Sequence, residues 1–355
     1  MKALVLSGGS GTRLRPFSHS MPKQLIPIVN KPVLEHVLGN IRDLGVTEVG
    51  IVVGTRASEI IEVVGDGSRL GVRVTYIHQE QPLGLAHCVS LARTFLGDDD
   101  FVMYLGDNML PEGIVRAADE FRTQRPAAAV VVHEVADPRA FGVVELEPDG
   151  TVARLVEKPS DPRTNLALIG VYFFTPAIHE AVASIKPSAR GELEITDAIQ
   201  WLVENGAKVK ADEYHGYWKD AGQAADVLDC NERLLADLRR ENLGSVDSAS
   251  EIGDRVHIGA GARIVRSRID GPAVIGAGTV VEDCHIGPNT SIGSGCTLRA
   301  TRVRDSIVMD GAEISHGPGL RYSLIGRNAV IGTGVAGAAC HSLVVGDHTR
   351  IRVAA

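Results

Sequence analysis

Residues 4–16 read Leu4-Val5-Leu6-Ser7-Gly8-Gly9-Ser10-Gly11-Thr12-Arg13-Leu14-Arg15-Pro16, and Pro22-Lys23-Gln24 follows closely. A short apolar run stops at a loop with almost no side chains, and cations stand just beyond it. Bare backbone N–H groups beside positive charge make a cradle for an anion, and an oligophosphate is the obvious occupant. A nucleotide is therefore expected here. The common phosphate motifs do not fit. A Walker loop needs Gly-Lys-Ser/Thr, but Gly11 is followed by Thr12-Arg13. The dinucleotide fingerprint needs a third glycine three places after Gly11, where Leu14 stands.

Outward from this loop, apolar strands alternate with helical patterns. Lys2–Leu6, Glu48–Val53, Val72–His78, Asp100–Leu105 and Ala127–Val135 read as strands. Val33–Leu44, Leu85–Leu96 and Glu112–Arg125 read as helices between them. This alternation predicts an α/β, Rossmann-like domain whose mixed sheet is mostly parallel, with both faces covered. Ligands of such sheets bind beyond the carboxyl ends of the strands. The glycine loop falls there, and so does Gly106-Asp107-Asn108. Gly142–Val156, with Pro148-Asp149-Gly150 inside it, reads as a hairpin. Gly222–Glu241 reads as one long helix, with Val227, Leu228, Leu234, Leu235 and Leu238 on its apolar face.

Near residue 245 the pattern changes. Ile252-Gly253, Ile258-Gly259, Ile275-Gly276, Ile286-Gly287, Ile292-Gly293, Ile325-Gly326, Ile331-Gly332 and Val345-Gly346 are aliphatic-glycine pairs, several six apart. Ile264, Val281, Leu298, Val303, Ile314 and Leu320 fill many of the gaps. Such hexapeptide repeats, with one inward aliphatic residue each, predict a parallel β-helix, the glycines permitting sharp corners. The period does not set its handedness. The expected organisation is a catalytic domain over 1–241, a polar linker over 242–250 and the β-helix over 251–355.

The bulk numbers bound the function. The chain has 355 residues and a net charge of −8, so a basic nucleic-acid-binding face is not expected. Cys88, Cys230, Cys284, Cys296 and Cys340 are dispersed, with no CxxC pair, which suggests reduced thiols in a cytoplasmic protein. No apolar run approaches a membrane span, and the chain opens on a strand pattern with no leader ahead of it.

Several residues could carry chemistry. Arg13 and Lys23 can neutralise a phosphoryl group as charge builds on it. Asp107 and Asp220 suit Mg²⁺, which needs few protein ligands when phosphate oxygens complete its shell. Asp107 reads equally as a turn residue and Asp220 as a helix N-cap. Glu157-Lys158-Pro159 pairs a carboxylate able to accept sugar hydroxyls with a lysine able to meet a sugar phosphate. Arg190-Gly191-Glu192-Leu193-Glu194-Ile195-Thr196-Asp197 is a second dense polar cluster. Gln79 offers both the donor and the acceptor that a pyrimidine edge needs, and Gly84-Leu85 stands at the same strand-to-helix turn. The histidines, His87 among them, show no common spacing and read as ordinary core or surface residues. No Ser-His-Asp arrangement is signalled.

Taken together, Leu6-Ser7-Gly8-Gly9-Ser10-Gly11-Thr12-Arg13-Leu14, Pro22-Lys23-Gln24-Leu25, Leu105-Gly106-Asp107-Asn108, Gly142-Val143-Val144, Glu157-Lys158-Pro159, Gly170-Val171-Tyr172-Phe173, Lys186–Asp197 and Trp218-Lys219-Asp220-Ala221-Gly222 carry a resemblance. The first 240 residues resemble the sugar-1-phosphate nucleotidylyltransferases, in particular the members that join glucose 1-phosphate to dTTP. With its repeat, the chain is similar to long forms that end in a left-handed β-helix and serve deoxysugar and antibiotic-sugar pathways. The resemblance implies that Gly8, Gly11 and Thr12 hold the nucleotide. Arg13 and Lys23 would contact the triphosphate, with Lys158 as a third catalytic cation. Gln24, Gln79 and Gly84 would face thymine, and Asp107 and Asp220 would hold Mg²⁺. Gly142, Glu157 and Tyr172 would line the glucose pocket, with Lys158 and Arg190 on the sugar phosphate. A homo-oligomer is expected. Two departures stand out. Lys219-Asp220-Ala221-Gly222 replaces the Leu-Asp-Thr-Gly of the short forms, and Leu168 stands where a smaller aliphatic residue often lines the sugar pocket.

Three other readings remain open on sequence. The substrates could be UTP or an N-acetylhexosamine 1-phosphate. The β-helix could transfer an acyl group, with His257, His285, His316, His341 and His348 as candidate bases by residue type. The chain could also be a non-catalytic sensing subunit, against which the intact Arg13, Lys23, Asp107, Lys158 and Asp220 argue.

Overall fold

The computed structural model describes residues 1–9, 11–316, 319–332, 340, 341 and 343–352. Ser10 of the glycine loop and residues 333–339 of the repeat lie outside the described residues. The chain forms two compact units that are not contiguous in sequence. The first is Met1–Gly9 with Leu34–Lys219, and the second is Ser10–Val33 with Asp220–Ala355.

The first unit is built on a nine-stranded mixed sheet. Val152–Glu157, Gly142–Leu146, Leu166–Phe174, Phe101–Leu105, Lys2–Ser7, Glu48–Val53 and Arg73–His78 lie side by side in that order. Ala128–Glu134 joins on Leu166–Phe174, and Val209–Glu213 joins on Ala128–Glu134. Parallel pairing covers less of it than the sequence suggests. Lys2–Ser7 is parallel to both its neighbours, and Glu48–Val53 is parallel to Arg73–His78. Leu166–Phe174, however, runs antiparallel to three strands. The reason is local. The strand–helix alternation ends at Ala128–Glu134, and the chain then turns back through the hairpin Gly142–Leu146/Val152–Glu157. A hairpin makes its own two strands antiparallel, and Leu166–Phe174 then enters the sheet antiparallel to Gly142–Leu146 on one side and to Phe101–Leu105 on the other.

Near-continuous apolar runs make the central strands. Ala3, Leu4, Val5 and Leu6 are all buried, as are Phe101, Val102, Met103 and Tyr104. Arg73–His78, at the sheet edge, alternates between exposed and half-buried residues instead. The helix expected over Leu85–Leu96 is two helices, Leu85–Leu91 and Arg93–Leu96, and the one expected from Glu112 begins at Val115.

In the second unit, the short strands from Glu241 onward fall into three parallel sheets, each strand pairing with the third strand after it, while Pro27–Ile28 and Lys31–Pro32 form a small antiparallel pair of their own. A parallel β-helix requires this connectivity. Val256 pairs with Ala273, Arg263 with Val280 and Arg268 with His285. The offset between coils is 17 residues through the middle of the stack, as between Val256 and Ala273, but 16 between Ser291 and Ile307 and 20 between Leu324 and Val344. The inward residues Ile258, Ile264, Ile269, Ile275, Val281, Ile286, Ile292, Leu298 and Val303 are all fully buried in one apolar column. Their spacing repeats as six, six, five, which explains the slips in the hexad. Cys230 is buried and outside any disulfide, and burial pushes the thiols of Cys88, Cys284 and Cys296 up to about 12, 11 and 12.

Residues 242–250 are not a linker. Glu241–Asn242 and Ser245–Val246 are strands that pair with the next coil, Glu241 with His257 and Ser245 with Arg263. An end coil has a neighbour on one side only, so its composition is polar like that of a connector. The expected helix Gly222–Glu241 is shorter for the same reason, running over Ala224–Leu235 before the chain enters this coil.

The repeat glycines do not do what the hexad suggests. Gly276, Gly293 and Gly326 are absent from the positive-φ residues, whereas Gly261, Gly278, Gly295 and Gly311 are among them. So are Arg266, Asp283, Ala300 and His316, each at a corner of another edge. Glycine is needed after the aliphatic residue because the next coil's backbone passes there. A Cβ at Gly276 would stand 2.5 Å from Gly293 O, and one at Gly293 would stand 2.6 Å from Asp310 N. Buried hydroxyls serve the remaining corner N–H groups: Ser267 Oγ accepts from Cys284 N, Thr279 Oγ1 from Cys296 N and Ser306 Oγ from Ser323 N, each at 3.0 Å.

These two roles for glycine separate experimentally. Gly276→Ala should cost about 1–3 kcal/mol of unfolding free energy through overpacking. Gly278→Ala, at φ +67 with nothing within 4 Å, should cost only about 1 kcal/mol of backbone strain. Urea unfolding followed by far-UV circular dichroism measures both, and a larger loss in Gly278→Ala would reverse the assignment.

Candidate active site

In the first unit, three groups of polar residues gather at strand ends. The first lies where Lys2–Ser7 stops. The Ser7 hydroxyl is buried and has no hydrogen-bond partner among the described residues. Gly8 follows, and a Cβ there would stand 3.1 Å from Gln79 Oε1 and 3.8 Å from Gly54 N. Gln79 extends the neighbouring ladder through its N–H to Val53 O at 2.9 Å. Its Nε2 sits 3.0 Å from His87 Nδ1 and donates weakly to Gly84 O at 3.4 Å. Gly84 has φ +105, and its Cβ would lie 2.7 Å from Leu193 N. Ala86 N donates to Leu193 O at 3.0 Å, which binds this turn to the 186–197 cluster. His87, which reads from sequence as ordinary, is thus the residue that orients Gln79.

The second group surrounds Glu157, the last residue of its hairpin strand and the ladder partner of Gly142. Glu157 Oε2 accepts from Thr196 Oγ1 at 3.2 Å. Its Oε1 faces two cations, Lys158 Nζ at 3.3 Å and Arg190 Nη1 at 3.6 Å. Lys158 holds φ +44 and donates its N–H to Phe141 O at 2.9 Å. A non-glycine residue held at positive φ is a constraint concentrated at functional sites. Arg190 is itself braced by Glu192 at 2.6 Å and Glu194 at 3.3 Å. A side chain at Gly142 would strike Leu168 Cδ1 and Thr196 Cγ2, both at 2.7 Å, so glycine lets these two side chains and Glu157 pack closely over the strand. Beside it lies a cleft of about 540 Å³ lined by Glu157, Lys158, Arg190, Glu194 and Asp197 among others. Tyr172 is buried and stacks on Phe174 at 6.0 Å. Burial raises its phenol pKa, and the negative Glu157 adds to the shift.

The third group is Asp107, buried where Phe101–Leu105 ends. Its Oδ1 accepts from Asn108 Nδ2 at 3.3 Å, and Asn108 Oδ1 accepts from Trp218 Nε1 at 2.7 Å. Trp218 packs edge-on against Phe141 at 5.4 Å.

The second unit carries polar residues of its own. Gly11 has φ +62, and a Cβ there would stand 3.4 Å from Lys23 Cβ, so the lysine stem lies along the loop. Thr12–Leu14 and Lys23–Leu25 are single 3₁₀ turns. Arg13 Nη2 meets Asp220 Oδ2 at 3.2 Å, with Arg13 59% and Asp220 26% exposed. Gly222 makes room for the pair, since its Cβ would stand 2.8 Å from Arg13 Nη2. Asp220 is not an N-cap, because the following helix is capped by Gln223. Gln24 is buried, and its Oε1 has no hydrogen-bond partner among the described residues. A buried acceptor left unpaired in a polar loop suits a donor supplied by a ligand.

Sequence reasoning missed Ser7, Asn108, His87 and the bond from Thr196 to Glu157. Asn108 and Ser7 sat inside quoted motifs, so position at a strand end was the available signal. His87 and Thr196 act across the fold, and nothing local marks them.

The nucleotidyl transferase family matches residues 2–237, and the GMPPB C-terminal domain matches residues 269–354. The chain belongs to the nucleotidyl transferase family and is an enzyme of that class. Over its whole length it is similar to glucose-1-phosphate thymidylyltransferases from Streptomyces antibioticus and Streptomyces griseus. Each is 50% identical, with 99% of both chains covered. A solved Bacillus anthracis chain described as a glucose-1-phosphate thymidylyltransferase, in complex with sucrose, is 32% identical. The match has a TM-score of 0.63 over 68% of this chain and 98% of that one.

Burial holds Glu194 and Asp197 above the usual carboxylate range, and the charge of Glu157 acts in the same direction. The folded state therefore keeps these protons to higher pH than the unfolded chain. Their contribution to stability is present below the ordinary carboxylate pKa and is lost as pH rises through the folded value. Between about pH 4 and 6, the decline in urea midpoint should be smaller in Glu194→Gln than in the parent. An equal decline in both would contradict the assignment.

Proposed function

We propose that this enzyme joins α-D-glucose 1-phosphate to the α-phosphorus of dTTP, forming dTDP-glucose and releasing pyrophosphate. The observation that carries this reading is Glu157, a carboxylate on the wall of a cleft with Lys158 and Arg190 converging on it. The full-length similarity to two thymidylyltransferases supports the choice of nucleotide and sugar.

A phosphate monoester is already an anionic nucleophile, so a single in-line displacement needs no strong base. What it needs is screening of the repulsion between two anions, and alignment. Lys158 and Arg190 take the sugar phosphate, while Glu157 accepts sugar hydroxyls and Tyr172 closes the wall. Backbone N–H groups at Gly8, Gly11 and Thr12 cradle the nucleotide, and Arg13 and Lys23 neutralise its phosphates. Gln24, Gln79 and Gly84 face the base. Asp107 and Asp220 offer carboxylate oxygens, the hard donors that Mg²⁺ takes. Two suffice where phosphate and water complete the shell, and among the described residues no larger His, Cys, Asp and Glu cluster competes. Bound there, Mg²⁺ would neutralise phosphate charge.

The wider proposals follow. Function divides between a catalytic part and a β-helix whose first coil opens at Glu241, supported by the family matches at 2–237 and 269–354. The β-helix is left-handed, the enzyme is a homo-oligomer of the cytoplasm, and its product feeds deoxysugar synthesis. Among the described residues no helix is long and apolar enough to cross a membrane.

Pyrophosphate release measured over a panel of nucleoside triphosphates and sugar 1-phosphates tests the reading. dTTP with glucose 1-phosphate should give the highest kcat/KM, and a preference for UTP or an N-acetylated sugar would overturn it. Arg13→Ala should raise the barrier by about 2–4 kcal/mol, seen as a fall in kcat. Asp107→Asn and Asp220→Asn should each lower turnover and weaken its dependence on Mg²⁺ while the circular dichroism spectrum is unchanged. Full rates at low Mg²⁺ in both would remove the metal assignment.

A further inference from the structure

The segment Ser10–Val33, which carries Gly11, Arg13, Lys23 and Gln24, belongs to the same compact unit as the parallel stack of coils. Its attachment to that stack is specific. Asn231, on helix Ala224–Leu235, is completely buried. Its Oδ1 accepts from Val29 N at 3.0 Å and from Ser291 Oγ at 2.6 Å, while its Nδ2 donates to Asn289 O at 3.3 Å. One amide thus joins the loop segment, the helix and a coil. Asn30 Nδ2 adds a bond of 2.6 Å to Ile292 O, and Arg327 Nη2 reaches Ser20 O at 3.4 Å. The helix that carries Asn231 follows Asp220, the partner of Arg13.

A buried amide is satisfied only when all its partners stay in place. Val29 N and Ser291 Oγ donate to the same oxygen while Asn289 O takes the amide's Nδ2, so a shift of the coil either carries the amide with it or breaks its bonds, and a shift of the amide breaks the bond to the loop's Val29 N. We propose that Asn231, through Ser291 and the coil 289–292, is a positioning residue for the nucleotide-binding segment, so that the β-stack sets the placement of Arg13 and Lys23 rather than serving only as a scaffold. The kinetic part of this inference rests on the nucleotidyl transfer proposed above; the structural part does not.

The test uses the full-length protein. Asn231→Leu removes all three bonds, and Ser291→Ala removes only the coil's donor. Asn231→Asp keeps the acceptor for Val29 N and Ser291 Oγ. Ser267→Ala is the control: it deletes a buried corner hydroxyl on another edge of the stack, and the loop makes no bond to it. We expect Asn231→Leu to lose kcat/KM for dTTP by about 10–100-fold, with KM for glucose 1-phosphate unchanged. Ser291→Ala should move in the same direction by less, and Asn231→Asp should recover most of the loss. Unchanged dTTP kinetics in Asn231→Leu would overturn the proposal. An equal loss toward both substrates, matched by Ser267→Ala at a similar fall in Tm, would show general destabilisation and overturn it too. Amide hydrogen exchange in peptides spanning residues 17–32 reads the anchor without turnover. Protection should fall in Asn231→Leu and hold in Ser267→Ala. That result would support the anchor even if dTTP proved the wrong nucleotide, and undiminished protection would refute it whatever the nucleotide.

Discussion

The parallel backbone ladder, closing on itself coil after coil, is the constraint from which the stacked part of the second unit follows. Once Ile258 is paired with Ile275, the face of every residue in both coils is determined, because a slip of one would turn the aliphatic column outward. The small residues follow from the same constraint. Glycine stands where two backbones cross, and Ser or Thr stands where a corner leaves an N–H inside. Ser291, Ile292 and Asn289 are ordinary members of this stack, yet their polar atoms face Asn231 and Asn30. A rigid ladder thereby becomes a reference frame for a loop with little regular structure of its own.

In the first unit the governing interaction is electrostatic. Glu157 draws Lys158 and Arg190 to one oxygen while Thr196 occupies the other. The paired carboxylates Glu192 and Glu194 hold Arg190 in place. Partly exposed ion pairs of this kind add little stability. Their effect is to keep two cations on the wall of one cleft. The raised pKa values of Glu194 and Asp197 belong to the same crowding of acids. Positive φ at Lys158 is the backbone's part in that geometry, since it turns the residue after the strand back beside Glu157.

Much of this was legible in the linear chain. The glycine loop, the strand-end Asp107 and the Glu157-Lys158 pair stand out in the sequence because each sets unusual residue types at the end of a strand pattern. The aliphatic-glycine beat announces coils because one inward residue per short strand leaves a period in the sequence. What local pattern could not give was partnership. His87 orienting Gln79, Thr196 bonding Glu157, and Asn231 joining Val29 to Ser291 are contacts between segments 8, 39 and up to 202 residues apart. Such pairs carry no periodic signal. The polar run 242–250 misled for a related reason: an end coil and a connector have the same composition and differ only in whether their backbone finds a ladder.

The sequence by itself determined which elements form and which chemistry is present, because strand runs, glycine loops and carboxylate or cationic side chains are properties of neighbouring residues. Only the tertiary structure decided how the chain is partitioned. The loop bearing Arg13 and Lys23 joins the stack rather than the strand it follows, because Val29 and Asn30 find their hydrogen-bond partners there. Backbone groups must be satisfied wherever the fold offers a partner, and that choice is made in space rather than along the chain.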